Sequence, residues 1–159
     1  DYLQLFEGSP EFDKVQRFAA RVYDLSQYLD EILQVNYEDK GEKIKVAWHS
    51  NCHALRVAKS VEASKNLIRK FANVELLELE HEEECCGFGG TFAVKESDIS
   101  NAMALAKIED IKKTGASYLI SGDGGCLLNI SGTMKRNGVD IKCLHLYDFL
   151  IKRLEGAPL

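Results

Sequence analysis

Three times in this chain a short apolar run is followed by a turn that carries cysteine, and then by residues at helical spacing. The turns are His49-Ser50-Asn51-Cys52-His53, Cys85-Cys86-Gly87-Phe88-Gly89-Gly90 and Gly122-Asp123-Gly124-Gly125-Cys126. The runs before them, over 44–48, 74–79 and 118–121, read as strands. A fourth run over 141–144 leads into His145 and a helical stripe of Leu146, Phe149, Leu150 and Leu154. Strands that alternate with helices in this way form a parallel sheet, because parallel neighbours need a crossover between them and the crossovers cover both faces. The expected fold is α/β: one three-layer domain over 1–159, with a four-stranded parallel sheet and helices on both faces. In such sheets ligands lie outside the carboxyl ends of the strands, which is where all three cysteine turns fall.

The remaining elements follow from the same patterns. Residues 10–33 carry apolar positions at Phe12, Val15, Ala19, Val22, Leu29 and Leu33, which predicts one long amphipathic helix with Ser9 as its cap and Pro10 in its first turn. Residues 36–42 are a polar loop. A second helix is expected over 53–71 with Asn73 as a left-handed stop, a third from Ser97 to Gly115, and a short one over 127–136 closed by Asn137-Gly138.

Composition removes several classes of function. The net charge is −5 and the 20 basic residues are scattered, so no nucleic-acid footprint is present. The apolar runs are far shorter than the ~20 residues of a membrane helix, and residues 1–4 do not resemble a signal peptide. The expectation is a cytoplasmic protein with no direct membrane insertion. The chain lacks an initiator Met and reads as part of a longer protein. Its five cysteines, an odd number, point to metal or redox chemistry rather than a disulfide framework.

Thiolates select soft ions: zinc, copper(I) or iron in iron–sulfur clusters. Structural zinc favours two cysteines separated by two to four residues, and no such pair occurs here. Adjacent cysteines in a turn, such as Cys85 and Cys86, can instead reach different atoms of one cluster. Gly87, Gly89 and Gly90 remove side-chain bulk where backbone must approach and leave N–H groups to bond sulfide. His49 and His53 flank Cys52 and could donate to a cluster sulfur or replace a thiolate. His145 ends the fourth strand at the same edge. Cys143, inside that strand, reads as a packing residue. Glu80, Glu82, Glu83 and Glu84 read as a solvated acidic approach to the site. Two other readings stand beside the cluster: a metal-free thiol–disulfide pair of Cys85 and Cys86, and a zinc-stabilised interaction module. A phosphate loop is disfavoured, since the glycine run lacks both the third glycine of a dinucleotide turn and the Gly-Lys-Ser/Thr of a P-loop.

The three turns, with Cys85-Cys86-Gly87-Phe88-Gly89-Gly90-Thr91-Phe92 and Gly125-Cys126-Leu127-Leu128-Asn129-Ile130 as the most specific strings, resemble the CCG, or cysteine-rich, domain of iron–sulfur oxidoreductase subunits. The likeness is strongest to the lactate-utilisation protein A type. The iron–sulfur subunits of glycolate oxidase and anaerobic glycerol-3-phosphate dehydrogenase, and the cysteine-rich subunit of heterodisulfide reductase, are more distant. The resemblance implies a cluster of the 4Fe-4S type, non-cubane in the reductase relative, with Cys52, Cys85, Cys86 and Cys126 at the ligand positions. It implies electron transfer from L-lactate or a related 2-hydroxy acid to other iron–sulfur subunits of an oxidising complex, with any membrane association peripheral and through those partners. The family commonly carries two such domains in tandem, and this chain resembles the second. One departure stands out: where the family often has a further cysteine shortly before the last, this chain has Asp123 and Gly124, so the site is expected to be one thiolate short. A cluster at an exposed sheet edge is also expected to be lost from an isolated domain handled in air.

Overall fold

Val46, Ala47 and Trp48 are buried almost completely, so their strand must have neighbours on both edges and layers on both faces. The computed structural model, which describes residues 2–159, has that arrangement. Strands β1 (Ile44–Trp48), β2 (Val74–Leu77), β3 (Tyr118–Ser121) and β4 (Lys142–His145) are all parallel, in the order β2-β1-β3-β4. Val46 pairs with Leu76 on one side and Tyr118 on the other. The chain leaves β1 toward one edge and β3 toward the other, which makes the β1/β3 junction the point where strand order reverses.

Alternation along the strands divides the core. Val46, Trp48 and Ile120 pack with Leu67 and Ile68 of α4 (Val61–Arg69) and with Leu146, Phe149 and Leu150 of α8 (Leu146–Glu155). Ala47 and Leu119 face the opposite way, against Ile108 and Ile111 of α6 (Ser97–Thr114) and Leu127, Ile130 and Met134 of α7 (Gly124–Arg136). Continued past the end of β1, this alternation gives His49 to the α6/α7 face and Ser50 to the α4/α8 face. Among the described residues, no helix is long and apolar enough to cross a membrane.

Three predicted helices are corrected. The helix expected over 10–33 is several pieces: α1 (Tyr2–Leu5) lies ahead of it, α2 (Phe12–Ala19) ends early, and α3 (Leu25–Gln27) starts afresh and runs into a wide turn at Tyr28–Ile32. Asp24 causes the restart. Its carboxylate accepts the Ser26 N–H at 2.9 Å while its own N–H donates to Gln27 Oε1 at 3.1 Å, a capping box that competes with continuous helix. The helix expected over 53–71 is likewise one wide turn, Ala54–Ala58, then a left-handed Lys59 at φ 53°, then α4. The carbonyls freed at that break are used: Gln27 Nε2 donates to Ala58 O at 3.2 Å and Ser64 Oγ to Ser60 O at 2.9 Å. Asn73 is not left-handed; its N–H donates to Asp39 Oδ2 at 2.7 Å and its side chain to Gly41 O at 3.0 Å, which pins the 36–42 loop. The third correction, an earlier start to α7, bears on the site below. A short extra helix, α5 (Thr91–Lys95), precedes α6.

The end of the sheet opposite the cysteines is held by a buried ion pair. Arg153 Nη2 meets Asp39 Oδ1 at 2.5 Å, both side chains being 2% exposed, and Arg153 Nη1 donates to Glu42 O at 2.8 Å. Burial alone would raise the Asp39 pKa, but Arg153 and the Asn73 and Gly41 amides hold it below the ordinary carboxylate range. Removing one member strands the other charge, so Arg153→Met should cost about 3–5 kcal/mol in urea unfolding, with part of that loss recovered in the Asp39→Leu/Arg153→Met double variant. Because the folded pKa is depressed, the pair's contribution is complete above the unfolded value of about 4 and fades as pH falls through the lower folded one.

Candidate metal centre

The β1/β3 junction is tied at its carboxyl end: His49 N donates to Ile120 O at 2.9 Å, and Ser121 Oγ donates to His49 O at 2.9 Å. His49 therefore has its backbone fixed from both sides, with its ring on the α6/α7 face. The second cysteine turn arrives by the loop after β2, and buried polar groups fix its path. Asp110 accepts the Glu80 and His81 N–H groups at 3.2 and 2.9 Å. Lys107, 2% exposed, donates to the His81 carbonyl and to Glu82 O. The Glu82 carboxylate accepts from Ser50 Oγ and Lys65 Nζ, each at 2.6 Å, and Ser50 Oγ accepts from Trp48 Nε1 at 3.0 Å. Glu82 is thus a structural anchor rather than part of a solvated acidic approach. Its signal in the sequence, one acid among four neighbours, cannot be told apart from the rest.

Cys86 is then locked in place. Asn129 Nδ2 of α7 donates to Cys86 O at 2.9 Å. Gly87, at φ +82°, presses on α6 so closely that a Cβ would sit 2.6 Å from Ser100 O. The Phe88 ring lies over Gly125, where a Cβ would collide with it. The third turn is set by Asp123, whose Oδ1 accepts the Cys126 N–H at 2.8 Å as the cap of α7. That cap starts the helix at Gly124 rather than at the expected Leu127 and puts Cys126 in its first turn.

The outcome is one imidazole and two thiols in a buried cluster. A ring nitrogen of His49 and the Sγ atoms of Cys86 and Cys126 all lie within 4.8 Å of one another, and the three residues are 1%, 2% and 6% exposed. Among the described residues, neither ring nitrogen of His49 has a hydrogen-bond partner. An unmet buried polar group costs about 1–3 kcal/mol, so the arrangement is suited to a ligand that takes it up. The Cys126 S–H holds the Cys86 thiol well below the ordinary thiol range against the cost of burial, and the nearby His49 imidazole and the Phe88 amide act in the same direction. Cys126 is pushed up by the Cys86 sulfur, by burial and by Asp123. Of the buried pair, Cys86 is therefore the more acidic thiol. Imidazole nitrogen and thiolate sulfur form a soft donor set suited to zinc, copper(I) or iron–sulfur centres.

The other predicted residues lie outside this cluster. Cys52 and Cys85 are exposed, with Cys85 Sγ accepting the Gly87 N–H at 3.4 Å. His53 is exposed and borders a cavity of about 80 Å³ with Trp48, Asn51 and Asp123. His145 Nδ1 accepts the Tyr147 N–H at 3.4 Å, capping α8, and its Nε2 lies 3.1 Å from Gly122 O. Gly89 and Gly90 have positive φ and open α5. Cys143 stands apart, half-buried on the α6/α7 face and 3.8 Å from Met134 Sδ, with its thiol pushed up to about 11 by burial. Ser50, Lys107, Asp110 and Asn129 were not legible as site residues. A lysine and an aspartate among the buried positions of α6 were the available signal.

The sequence profile of the CCG cysteine-rich domain family matches residues 46–131, from β1 into α7 and across all three turns. The chain belongs to the CCG cysteine-rich family. Among curated relatives, "Lactate utilization protein A" of Oceanobacillus iheyensis is 36% identical over 158 residues, 99% of this chain and 65% of that protein. The proteins of the same name from a Geobacillus species and from Shouchella clausii are 38% and 40% identical, over 96% and 94% of this chain and 65% and 63% of their own lengths. The chain thus spans just under two thirds of the relatives it matches.

In the reduced, metal-free protein, ultraviolet thiolate absorbance should show one cysteine still ionised on the acid side of neutrality. Cys86→Ser should abolish that signal and Cys126→Ala should move its midpoint upward. Asp123→Ala should lower stability by about 0.5–2 kcal/mol, the usual loss for a helix cap, without removing a metal ligand.

Proposed function

We propose that this domain holds an iron–sulfur cluster and passes electrons in the oxidation of L-lactate or a related 2-hydroxy acid, working with other iron–sulfur subunits. The observation that carries the proposal is the burial of Cys86 and Cys126 side by side at the carboxyl edge of a CCG-family sheet. The substrate class comes from the name shared by its relatives. In this reading Cys86 and Cys126 bind from the protein side, while Cys52, three residues beyond His49, and Cys85, next to Cys86, supply further thiolates from the solvent side of the same edge. A bound cluster would supply one-electron transfer. The chain's own contributions are distinct from that. Lys107 brings a buried positive charge toward a thiolate-rich centre, and α6 and α7 exclude water from its inner half. Gly87 lets the Cys-Cys turn approach the helices, and the exposed thiols leave the outer half open to a partner.

A second reading, a metal-free dithiol, is favoured by one observation: the sulfurs of Cys86 and Cys126 lie within 4.8 Å of each other in the same buried cluster. The pair it implies is Cys86 with Cys126, rather than the Cys85 and Cys86 pair that the sequence suggests.

Anaerobic reconstitution with iron and sulfide separates the two. The cluster reading expects iron and acid-labile sulfide bound together, lost in Cys86→Ser and Cys126→Ser, bleached in air, and retained longer against a chelator in Asp123→Cys. Protein that holds neither iron nor sulfide and gives a Cys86–Cys126 disulfide on mild oxidation would sink it and favour the dithiol. Zinc without sulfide would sink both.

A further inference from the structure

We propose that His49 is a direct nitrogen ligand of the metal centre and occupies the place of a missing thiolate. The inference rests on the reading of this edge as a metal site, but not on the metal's being an iron–sulfur cluster. Three observations converge on it. The His49 backbone is held at both its N–H and its carbonyl by β3, at 2.9 Å each, so the ring is presented from a backbone fixed on both sides. The residue is 1% exposed, and among the described residues neither ring nitrogen has a hydrogen-bond partner. It also lies within 4.8 Å of both buried sulfurs. Donors bonded at about 2.0–2.3 Å to one tetrahedral metal atom lie about 3.3–3.8 Å apart, so a closing movement of up to about 1 Å, within the reach of side-chain rotation, brings the three onto one ion.

The alternatives are otherwise engaged. Asp123, the nearest carboxylate in sequence to Cys126, has its Oδ1 committed to the Cys126 N–H. His145 has ring contacts on both nitrogens, and His81 faces Glu80 and Glu84 at the surface. His53 is exposed. Substituting a neutral imidazole for a thiolate removes one negative charge from the centre, and histidine ligation in place of cysteine raises the potential of iron–sulfur centres. This chain's centre should therefore be easier to reduce than an all-thiolate version of itself.

The test has two arms. In the first, metal-free protein is titrated with cobalt(II) alone, whose visible bands and sulfur charge-transfer absorption report the ligand set whether or not a cluster can form. His49→Ala should weaken cobalt binding at least tenfold. His49→Cys should restore it with added charge-transfer intensity, which also shows that the position can be changed without unfolding the domain, and His53→Ala and His145→Ala should leave it unchanged. In the second arm, protein labelled with ¹⁵N-histidine is reconstituted with iron and sulfide, reduced, and studied by pulsed electron paramagnetic resonance. A strong coupling to directly bound nitrogen is expected, lost in His49→Ala, and His49→Cys should lower the reduction potential. Wild-type cobalt affinity and spectrum in His49→Ala would overturn the proposal. So would a loaded cluster that shows only the weak coupling of a hydrogen-bonded nitrogen; the iron–sulfur reading would then survive. Conversely, cobalt results as expected in a protein that never takes up sulfide would support His49 ligation and defeat the cluster.

Discussion

The pairing of β1 with β3 is the contact on which the rest of the structure depends. It reverses the strand order, so α4 and α8 cover one face and α6 and α7 the other. It also brings the ends of two strands together at the edge where a parallel sheet leaves its connecting turns free. A central β1 needs an apolar, two-sided sequence, which Val46-Ala47-Trp48 supplies. The residue that follows in the alternation, His49, inherits a buried position that a polar ring would otherwise avoid.

The site is assembled from separate parts that constrain one another. Cys86 comes from the loop after β2, Cys126 from the first turn of α7 and His49 from the end of β1. Their meeting depends on Asn129 reaching across to the Cys86 carbonyl and on Phe88 lying against Gly125. The charge pattern is similarly divided. Cys86, the more acidic of the two thiols, faces Cys126, and the buried Lys107 side chain holds the loop behind them. Each group needs the others in place, so the polar groups around the loop act as a network that leaves the His49 ring unmet.

Much of this architecture could be read from the chain. The apolar runs ending at Trp48, Leu79 and Ser121, followed by turns and helical spacing, are enough for a parallel α/β sheet with helices packed against it. Helix continuity breaks at Asp24 and Lys59, where periodicity does not show it, because periodicity counts apolar positions and does not register a side chain that competes for backbone N–H groups or a left-handed residue. Strand order was not legible, since it depends on contacts between residues far apart in the chain. For the same reason the sequence could gather Cys52, Cys85, Cys86 and Cys126 at one edge but could not say which of them turn inward. That choice is made by Lys107, Asp110 and Asn129 acting on the loop. Among His49, His53 and His145, what singles out His49 is its place in the alternation beyond Trp48, and this becomes readable once β1 is known to be central.

Cys85 and Cys86 are neighbours, yet one faces solvent and the other the core. Only the path of the preceding loop decides which is which. Surface connections usually tolerate insertions and deletions, but here one residue added or removed between Leu77 and Cys85 would move a different side chain into the inward position while Asp110 and Lys107 still gripped the loop upstream. The segment therefore behaves as a measured spacer: its length carries as much information as the register of a strand. A chain that kept every cysteine but altered that count would present its inner sulfur to water.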